Sequence, residues 1–211
     1  EFVTRFRELE ARRGTALGWR EWIDLAREMA VWDTRLAAAP EQGLQEALRA
    51  LRDSLRRDFG GFIARHYPRW IAEDDGDRPA LSPDLVEEMV LPVLRERGKV
   101  LLVIVDCLRL DQWEALQPLI APLFDIETSY YYSILPSATP YSRNALFAGL
   151  FPRDIAAAYP AWWTEREEES LNAHEHEFLA RQLERLTGRP VPPRYEKLFG
   201  GAAGAALLQR L

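Results

Sequence analysis

Residues 99–106 (KVLLVIVD) constrain the fold more than any other stretch of the sequence. A short, uninterrupted apolar run that is rich in β-branched side chains is typical of a strand buried on both faces of a parallel sheet. The apolar part, residues 100–105, is far shorter than the about 20 residues that cross a bilayer. We therefore predict a buried strand that ends at Asp106.

Helical and strand patterns alternate around this run. Ser82 and Pro83 are typical of a helix N-terminus, with the serine as the cap and the proline at the first helical position. The predicted elements are a helix over residues 83–97, the strand over 99–106, a helix over 111–119, a strand over 125–135 and helices over 140–150 and 170–186. Such alternation predicts an α/β domain with a mainly parallel sheet and crossover helices.

The first 72 residues have a different pattern, with apolar residues at helical spacing and breaks at residues 14–18 and 40–43. Three helices joined by short loops would bury these stripes against each other. Residues 73–83 concentrate acidic residues, glycine and proline, so we place the domain boundary there. The prediction is a three-helix bundle over residues 1–75 and an α/β domain over residues 76–211.

Composition excludes several classes of protein. The chain is 47% hydrophobic and 28% charged with a net charge of −6, which is too apolar for a disordered chain and too acidic for a general nucleic-acid coat. The first twenty residues contain no continuous apolar stretch, so they do not resemble a signal peptide. A single cysteine, Cys107, cannot form an internal disulfide. We therefore expect a cytoplasmic protein without membrane insertion.

Asp106 is the first candidate functional residue. In open α/β sheets, ligands bind at the carboxyl ends of the strands, where a carboxylate can hold a cation. The alternative is that Asp106 caps the following turn or helix, and position alone favours neither. Asp111 comes five residues later and would face elsewhere on a helix.

Thr139 is the second candidate, at the start of the helix that contains Pro140. We predict Thr139 as the N-cap, where free backbone N–H groups and the positive end of the helix dipole favour phosphate. A threonine hydroxyl also becomes a nucleophile when a metal lowers its pKa. Judged alone, an ordinary capping threonine is the simpler interpretation. Arg143, one turn further on, could hold a phosphoryl oxygen or form a solvated salt bridge.

The histidines do not form a recognisable metal site. His174 and His176 are two residues apart, so on a helix they point in different directions and cannot chelate one ion together. They lie in a glutamate-rich segment that we expect to be an exposed helix face. His66 falls in the helical region, where a structural role is expected.

Two segments resemble a known family. Residues 101–113 (LLVIVDCLRLDQW) and 130–152 (YYYSILPSATPYSRNALFAGLFP) resemble the PglZ domain of the alkaline phosphatase superfamily. More narrowly, they look like the PorX-type response regulators, in which a receiver domain is joined through a three-helix bundle to a PglZ domain. Residues 18–33, 78–83 and 176–186 also look like the corresponding stretches. The resemblance thus implies that residues 76–211 are the N-terminal portion of a PglZ domain, a partial alkaline phosphatase-like α/β domain.

The resemblance implies a function. Asp106 matches the first metal-ligand aspartate of the superfamily, and Thr139 matches its metal-coordinating nucleophile. Two metals, usually zinc, would position a phosphate ester for in-line attack. The implied protein is a phosphodiesterase that acts on nucleotide-type substrates, with Arg143 as a substrate-binding residue. A receiver domain preceding Glu1 would control it, and the bundle would relay its state, with a homodimer as one means.

The alternatives differ in chemistry. The chain could be a non-catalytic signalling scaffold in which the helical bundle does the work. It could also be a phosphomonoesterase or phosphotransferase, since fold and nucleophile do not define a substrate.

The sequence also predicts an incomplete metal centre. Two metals need about six to eight ligand atoms, and these residues offer Asp106 and Thr139 without a histidine pair. We expect the remaining zinc ligands beyond residue 211. The chain of 211 residues should therefore retain fewer than two zinc ions after zinc loading and desalting, as measured by elemental analysis. Two tightly held zinc ions per chain would contradict this expectation.

Overall fold

The computed structural model describes residues 17–38, 42–72, 77–163 and 172–198, together with residues 4, 7, 8 and 11. The chain divides into two compact units. The first is drawn from residues 1–80 and 103–131, and the second from residues 81–102 and 132–211.

Helices dominate the described residues. In chain order they are α1 (Trp19–Ala38), α2 (Gln42–Ala72), α3 (Leu91–Arg97), α4 (Leu110–Ile120), α5 (Thr139–Ala148), α6 (Pro152–Ala158) and α7 (Glu175–Thr187). A 3-10 turn (Ser82–Asp84) and a π-helical turn (Val86–Val90) precede α3. None of the helices in the described ranges is long and apolar enough to cross a membrane.

The predicted α/β fold with a mainly parallel sheet is wrong for the described residues. These residues contain no strand, and the β pairing they show is one parallel bridge between Leu81 and Tyr132. The run over residues 99–106 has no regular secondary structure, and Leu101 and Val103 are 78% and 67% exposed. A strand needs neighbours that exchange backbone hydrogen bonds with it. No described segment pairs with this run, so its composition alone does not make it a strand.

The first unit is built on α1 and α2. Their buried apolar residues recur at helical spacing, as the sequence predicts, and they are Trp22, Leu25, Met29, Ala30, Trp32, Leu36, Leu48, Leu51, Leu55, Phe62 and Trp70. Asp33 of α1 forms an ion pair with Arg52 of α2. The apolar positions expected to form an earlier helix, Phe2, Phe6 and Leu9, lie outside the described residues.

Aromatic rings fill the contact between α1 and α2. The Trp22 ring meets Phe59 edge-on at a centroid distance of 5.2 Å and lies 6.0 Å from Phe62. The His66 ring lies 4.4 Å from Phe62, in keeping with the structural role expected for this histidine. Large rings bury much apolar surface, and offset or edge-on pairs add to the stability.

Helix α4 also belongs to the first unit, where it packs against α1. The Thr34 hydroxyl on α1 donates to the main-chain oxygen of Asp111, at 3.2 Å. The guanidinium of Arg27 lies over the Tyr130 ring, 5.4 Å from its centroid. Residues that follow the apolar run are therefore attached to the helical region that precedes it.

The second unit starts with a hydrogen-bonded turn that differs from the predicted cap. The Ser82 hydroxyl accepts a hydrogen bond from the Ile134 main-chain N–H at 3.1 Å, and the Asp84 carboxylate accepts one from the Leu81 N–H at 2.8 Å. Ser82 thus lies inside the first turn and is not its cap. The buried hydroxyl satisfies a main-chain donor that is distant in the sequence.

Three predicted helices are confirmed with small shifts at their ends. Helix α4 covers the segment predicted over 111–119, and α5 covers most of 140–150. Helix α7 begins at Glu175, whereas residues 170 and 171 of the predicted helix lie outside the described residues. Strong helical periodicity therefore predicts where a helix lies more accurately than it predicts where the helix begins and ends.

Helices α5 and α7 pack against each other through a buried polar contact. In the orientation that satisfies the Gln182 amide, its nitrogen donates to the oxygens of Leu146 and Phe147 at 3.1 and 2.9 Å. Its oxygen accepts from the Gly149 N–H at 3.2 Å. Arg185 donates to the Ala148 oxygen at 2.8 Å. Side chains of α7 thus satisfy the carbonyls that a helix C-terminus leaves unpaired.

We expect a side chain at position 149 to destabilise this contact. Its φ is +61°, and a Cβ atom there would lie 2.1 Å from the Gln182 amide. Gly98 has a similar φ of +75° but no neighbour within 4 Å of such a Cβ, so it is a matched control. We expect Gly149→Ala to lower the free energy of unfolding by about 1–3 kcal/mol more than Gly98→Ala, because the bonds of Gln182 must break. Denaturant unfolding measures this, and equal losses would contradict it.

Candidate functional site

Thr139 is the first residue of α5, in the second unit. Ala138 precedes it as the N-cap, with φ −61° and ψ 141°, and accepts hydrogen bonds from the N–H groups of Tyr141 and Ser142 at 3.0 Å each. The prediction of Thr139 as the N-cap is therefore wrong by one residue. Proline is tolerated in the first helical turn because N–H groups there have no partner inside the helix, so Pro140 does not by itself identify the cap.

The position of Thr139 leaves its hydroxyl available. The residue is half-buried, and no other described residue forms a hydrogen bond with the hydroxyl. Because Ala138 takes the N-cap position, the hydroxyl is not used to satisfy the helix end. It lies beside the positive end of the α5 dipole, where negative charge is stabilised.

Asp106 lies in an exposed turn of the first unit, after the apolar run. Its Oδ1 accepts a hydrogen bond from the Cys107 N–H at 3.0 Å, and the Cys107 Sγ lies 3.8 Å from the same oxygen. Cys107 has φ +59°, in the left-handed region. The carboxylate thus supports a tight turn, as in the alternative interpretation of Asp106, and it does not close a buried strand.

Asp111 forms an ion pair with Arg109 at the start of α4. The Arg109 Nε and Nη2 donate to the two carboxylate oxygens of Asp111 at 2.9 and 2.8 Å. This pairing lowers the pKa of Asp111 and raises that of Arg109, chiefly through the hydrogen bond between the side chains. Asp111 is therefore paired at the start of its own helix.

Arg143 lies one turn after Thr139 on α5, and its guanidinium meets a buried carboxylate. Arg143 Nη2 lies 2.6 Å from Glu175 Oε2 on α7; the Glu175 side chain is 0% exposed and that of Arg143 is 21% exposed. Arg143 therefore forms a salt bridge, as one of its two interpretations expects, but the bridge is largely buried and is not the solvated one expected. The structure places Thr139 and Arg143 on the same helix, whereas Asp106 belongs to the other unit.

Two further groups reach the same carboxylate. The Tyr195 hydroxyl donates to Glu175 Oε2, and Lys197 Nζ lies 3.3 Å from it. Lys197 also donates to the Asn172 main-chain oxygen at 2.7 Å. We call Arg143, Glu175, Tyr195 and Lys197 the Glu175 cluster. Burial is the main reason that the pKa of Tyr195 rises far above its usual value, followed by its hydrogen bond to Glu175.

The Glu175 cluster was not predicted from the sequence. The glutamate-rich segment was expected to be an exposed helix face, but Glu175 is fully buried. A signal was present in the sequence, because Glu175 and Gln182 fall in phase with Phe178 and Leu183 on one side of the helix. Polar residues in register with an apolar stripe are candidates for buried hydrogen bonds.

The described residues do not form a complete metal centre. Within the described ranges, no group of three or more histidine, cysteine, aspartate and glutamate side chains is arranged to hold a metal ion. A zinc ion in a protein usually has at least three protein ligands. The donors expected from the sequence, Asp106 and Thr139, are therefore insufficient for a pair of metals.

Two family models match the chain. Residues 1–71 match the PorX response regulator linker domain, and residues 85–210 match the BREX system PglZ alkaline phosphatase-like domain. Together these matches make the chain similar to PorX-type regulators that carry an alkaline phosphatase-like domain. The second match covers more than half of the sequence, and the chain therefore belongs to the PglZ family of alkaline phosphatase-like domains. A comparison with curated proteins gave no match.

The matches confirm the resemblance inferred from residues 101–113 and 130–152. The linker match covers most of the region predicted as a helical bundle, and the PglZ match includes Asp106, Thr139 and Arg143. The roles of these three residues, and the division of the chain at residue 75, stay predictions.

Tyr195 should make stability depend on alkaline pH. Because its pKa in the folded protein is raised above its usual value of about 10, the folded state keeps a proton that the unfolded state loses. Its contribution to the free energy of unfolding is fully present below pH 10 and is lost as the pH rises towards the folded pKa. Denaturant unfolding of wild type and Tyr195→Phe between pH 7 and 11 should therefore show a constant difference up to about pH 10 and a shrinking difference above it. A difference that does not change with pH would contradict the prediction.

Proposed function

We propose that this chain belongs to a metal-dependent phosphodiesterase in which Thr139 is the nucleophile. The match of residues 85–210 to an alkaline phosphatase-like domain is the observation that carries the proposal. The half-buried position of Thr139 at the first residue of α5 supports it, since the hydroxyl is not used to cap the helix.

The proposed reaction has two displacements at phosphorus. Thr139 Oγ1 forms a bond to phosphorus while the bond from phosphorus to the leaving oxygen breaks, and the proton of the threonine hydroxyl passes through solvent to the departing alkoxide. Water then attacks phosphorus in the threonyl phosphodiester intermediate; one of its protons restores the Thr139 hydroxyl, and its oxygen stays on the phosphate monoester that is released. Splitting one difficult step into two easier ones is the advantage of a covalent intermediate.

Arg143 is the proposed phosphate ligand of the site. The first turn of α5 offers few main-chain donors, because Pro140 has no N–H and the N–H groups of Tyr141 and Ser142 are bonded to Ala138. A guanidinium carries five donors in a planar fork and therefore suits phosphoryl oxygens. On a helix, a side chain at i+4 lies above that at i and points back towards the N-terminus, which brings Arg143 towards Thr139.

The proposal includes two zinc ions, with Asp106 and Thr139 among their ligands. The described residues do not fit such a pair by themselves, since they form no cluster of three ligands. We therefore assign the remaining ligands to residues outside the described ranges. In this proposal the described residues contribute the nucleophile, Thr139, and the phosphate ligand, Arg143.

Regulation by a receiver domain is the second part of the proposal. The match of residues 1–71 to a response regulator linker supports it, and so does the packing of α1 against α4 within the first unit. In this proposal the linker relays the state of the receiver, with dimerisation as one means, and the enzyme acts on nucleotide-type phosphate esters in the cytoplasm.

The direct test is hydrolysis of a chromogenic phosphodiester by the full-length protein with added zinc. We expect Thr139→Ala to lower kcat/KM by about a hundredfold or more, because it removes the attacking oxygen. Thr139→Ser keeps a hydroxyl and should retain measurable activity. Ser142→Ala removes a different hydroxyl from the same helix and should behave as wild type.

The outcomes separate the alternatives. An active Thr139→Ala variant would show that the nucleophile lies elsewhere. A wild-type protein that hydrolyses monoesters but not diesters would be a phosphomonoesterase. A wild-type protein without activity on either would contradict the proposal and favour the non-catalytic signalling scaffold.

A further inference from the structure

Glu175 is a charged side chain buried in the second unit with its partners on one side. Arg143 Nη2, the Tyr195 hydroxyl and Lys197 Nζ all meet Oε2, whereas Oε1 accepts no hydrogen bond from the described residues. Arg143 comes from α5, and the other two partners come from the segment after α7.

Stability alone is a poor explanation for this arrangement. Removing a carboxylate and a guanidinium from water is costly, and a well-packed apolar pair in their place is often as stable or more stable. The burial of Glu175 without a partner for Oε1 increases that cost. The arrangement does hold the Arg143 guanidinium in one orientation, because its Nη2 meets a carboxylate that is itself held by Tyr195 and Lys197.

Glu175 and Arg143 differ in how much of each side chain is exposed to solvent. Glu175 is completely buried, whereas about one fifth of the Arg143 side chain is exposed. The carboxylate is therefore withdrawn from solvent, whereas Arg143, on the helix that begins at Thr139, is partly exposed. Because the guanidinium is planar and rigid, holding one of its nitrogens also orients the others.

We propose that Glu175 is a positioning residue that orients Arg143 to bind a phosphoryl oxygen beside Thr139. This inference rests on the proposed function. Glu175 itself does not touch the substrate, since the carboxylate is withdrawn from solvent. Tyr195 and Lys197 hold the carboxylate through its Oε2.

A purely structural link between α5 and α7 is the competing explanation, and the chain offers a matched control for it. Gln182 joins the same two helices at the C-terminal end of α5, through the main-chain groups of Leu146, Phe147 and Gly149. Gln182→Ala should therefore destabilise the contact between the helices and leave the start of α5 unchanged.

The experiment compares Glu175→Gln, Gln182→Ala and Thr139→Ala with wild type in the full-length zinc-loaded protein. It measures kcat and KM for a chromogenic phosphodiester, the inhibition constant of inorganic phosphate and thermal unfolding. For Glu175→Gln we expect KM and the inhibition constant to rise together by about tenfold. For Gln182→Ala we expect a lower unfolding temperature with unchanged KM and inhibition constant.

Two further variants show whether Glu175 acts through Arg143. Arg143→Lys keeps the charge but loses the planar fork, and adding Glu175→Gln to it should raise the inhibition constant no further. Glu175→Asp keeps the buried charge and withdraws it by one methylene, so it should give a smaller rise than Glu175→Gln. If Glu175→Gln does not fold, Glu175→Asp carries the test.

The results distinguish this inference from the proposed function. If wild type is active, Thr139→Ala is inactive and Glu175→Gln keeps the wild-type KM and inhibition constant, the phosphodiesterase stands and the positioning role is overturned. Equal effects of Glu175→Gln and Gln182→Ala on the inhibition constant would also overturn it, since both would then be structural. If wild type has no phosphoesterase activity, both proposals fail.

Discussion

Buried polar contacts between α5 and α7 determine how the second unit is built. Midway along α5, Arg143 meets Glu175, and at the end of α5 Gln182 and Arg185 satisfy main-chain groups up to Gly149. Hydrogen bonds at two places along the helices add directional contacts to the apolar packing between them. The part of α5 that carries Arg143 is therefore held by Glu175, and its C-terminus is held by Gln182 and Arg185.

The apolar run over residues 99–106 shows how far composition can mislead. Its β-branched residues have the propensity of a buried strand, yet in the structure Leu101 and Val103 are exposed. A helix forms its hydrogen bonds within one segment, whereas a strand depends on other segments for all of them. Local patterns were therefore sufficient to predict helices α4 and α5. They were not sufficient to predict whether the apolar run would join a sheet.

The candidate site was predictable to a similar extent. Thr139 and Arg143 were expected one turn apart on a helix, and they are, because helix geometry follows from sequence spacing. Glu175 was missed because its neighbours in the sequence are charged and its partners, Arg143 and Tyr195, lie 32 and 20 residues away. The Ser82 hydroxyl was assigned to its own turn for the same reason, although it accepts from Ile134.

The sequence by itself determined the family and the position of several helical segments. These properties depend on residue identity and on short-range spacing, which the chain expresses directly. The tertiary structure alone decided that Glu175 is buried against Arg143, that Asp106 supports a turn and that the apolar run has no strand partner among the described residues. Each of these depends on which distant segments meet, and the free energy of such contacts comes from burial and hydrogen bonding between segments.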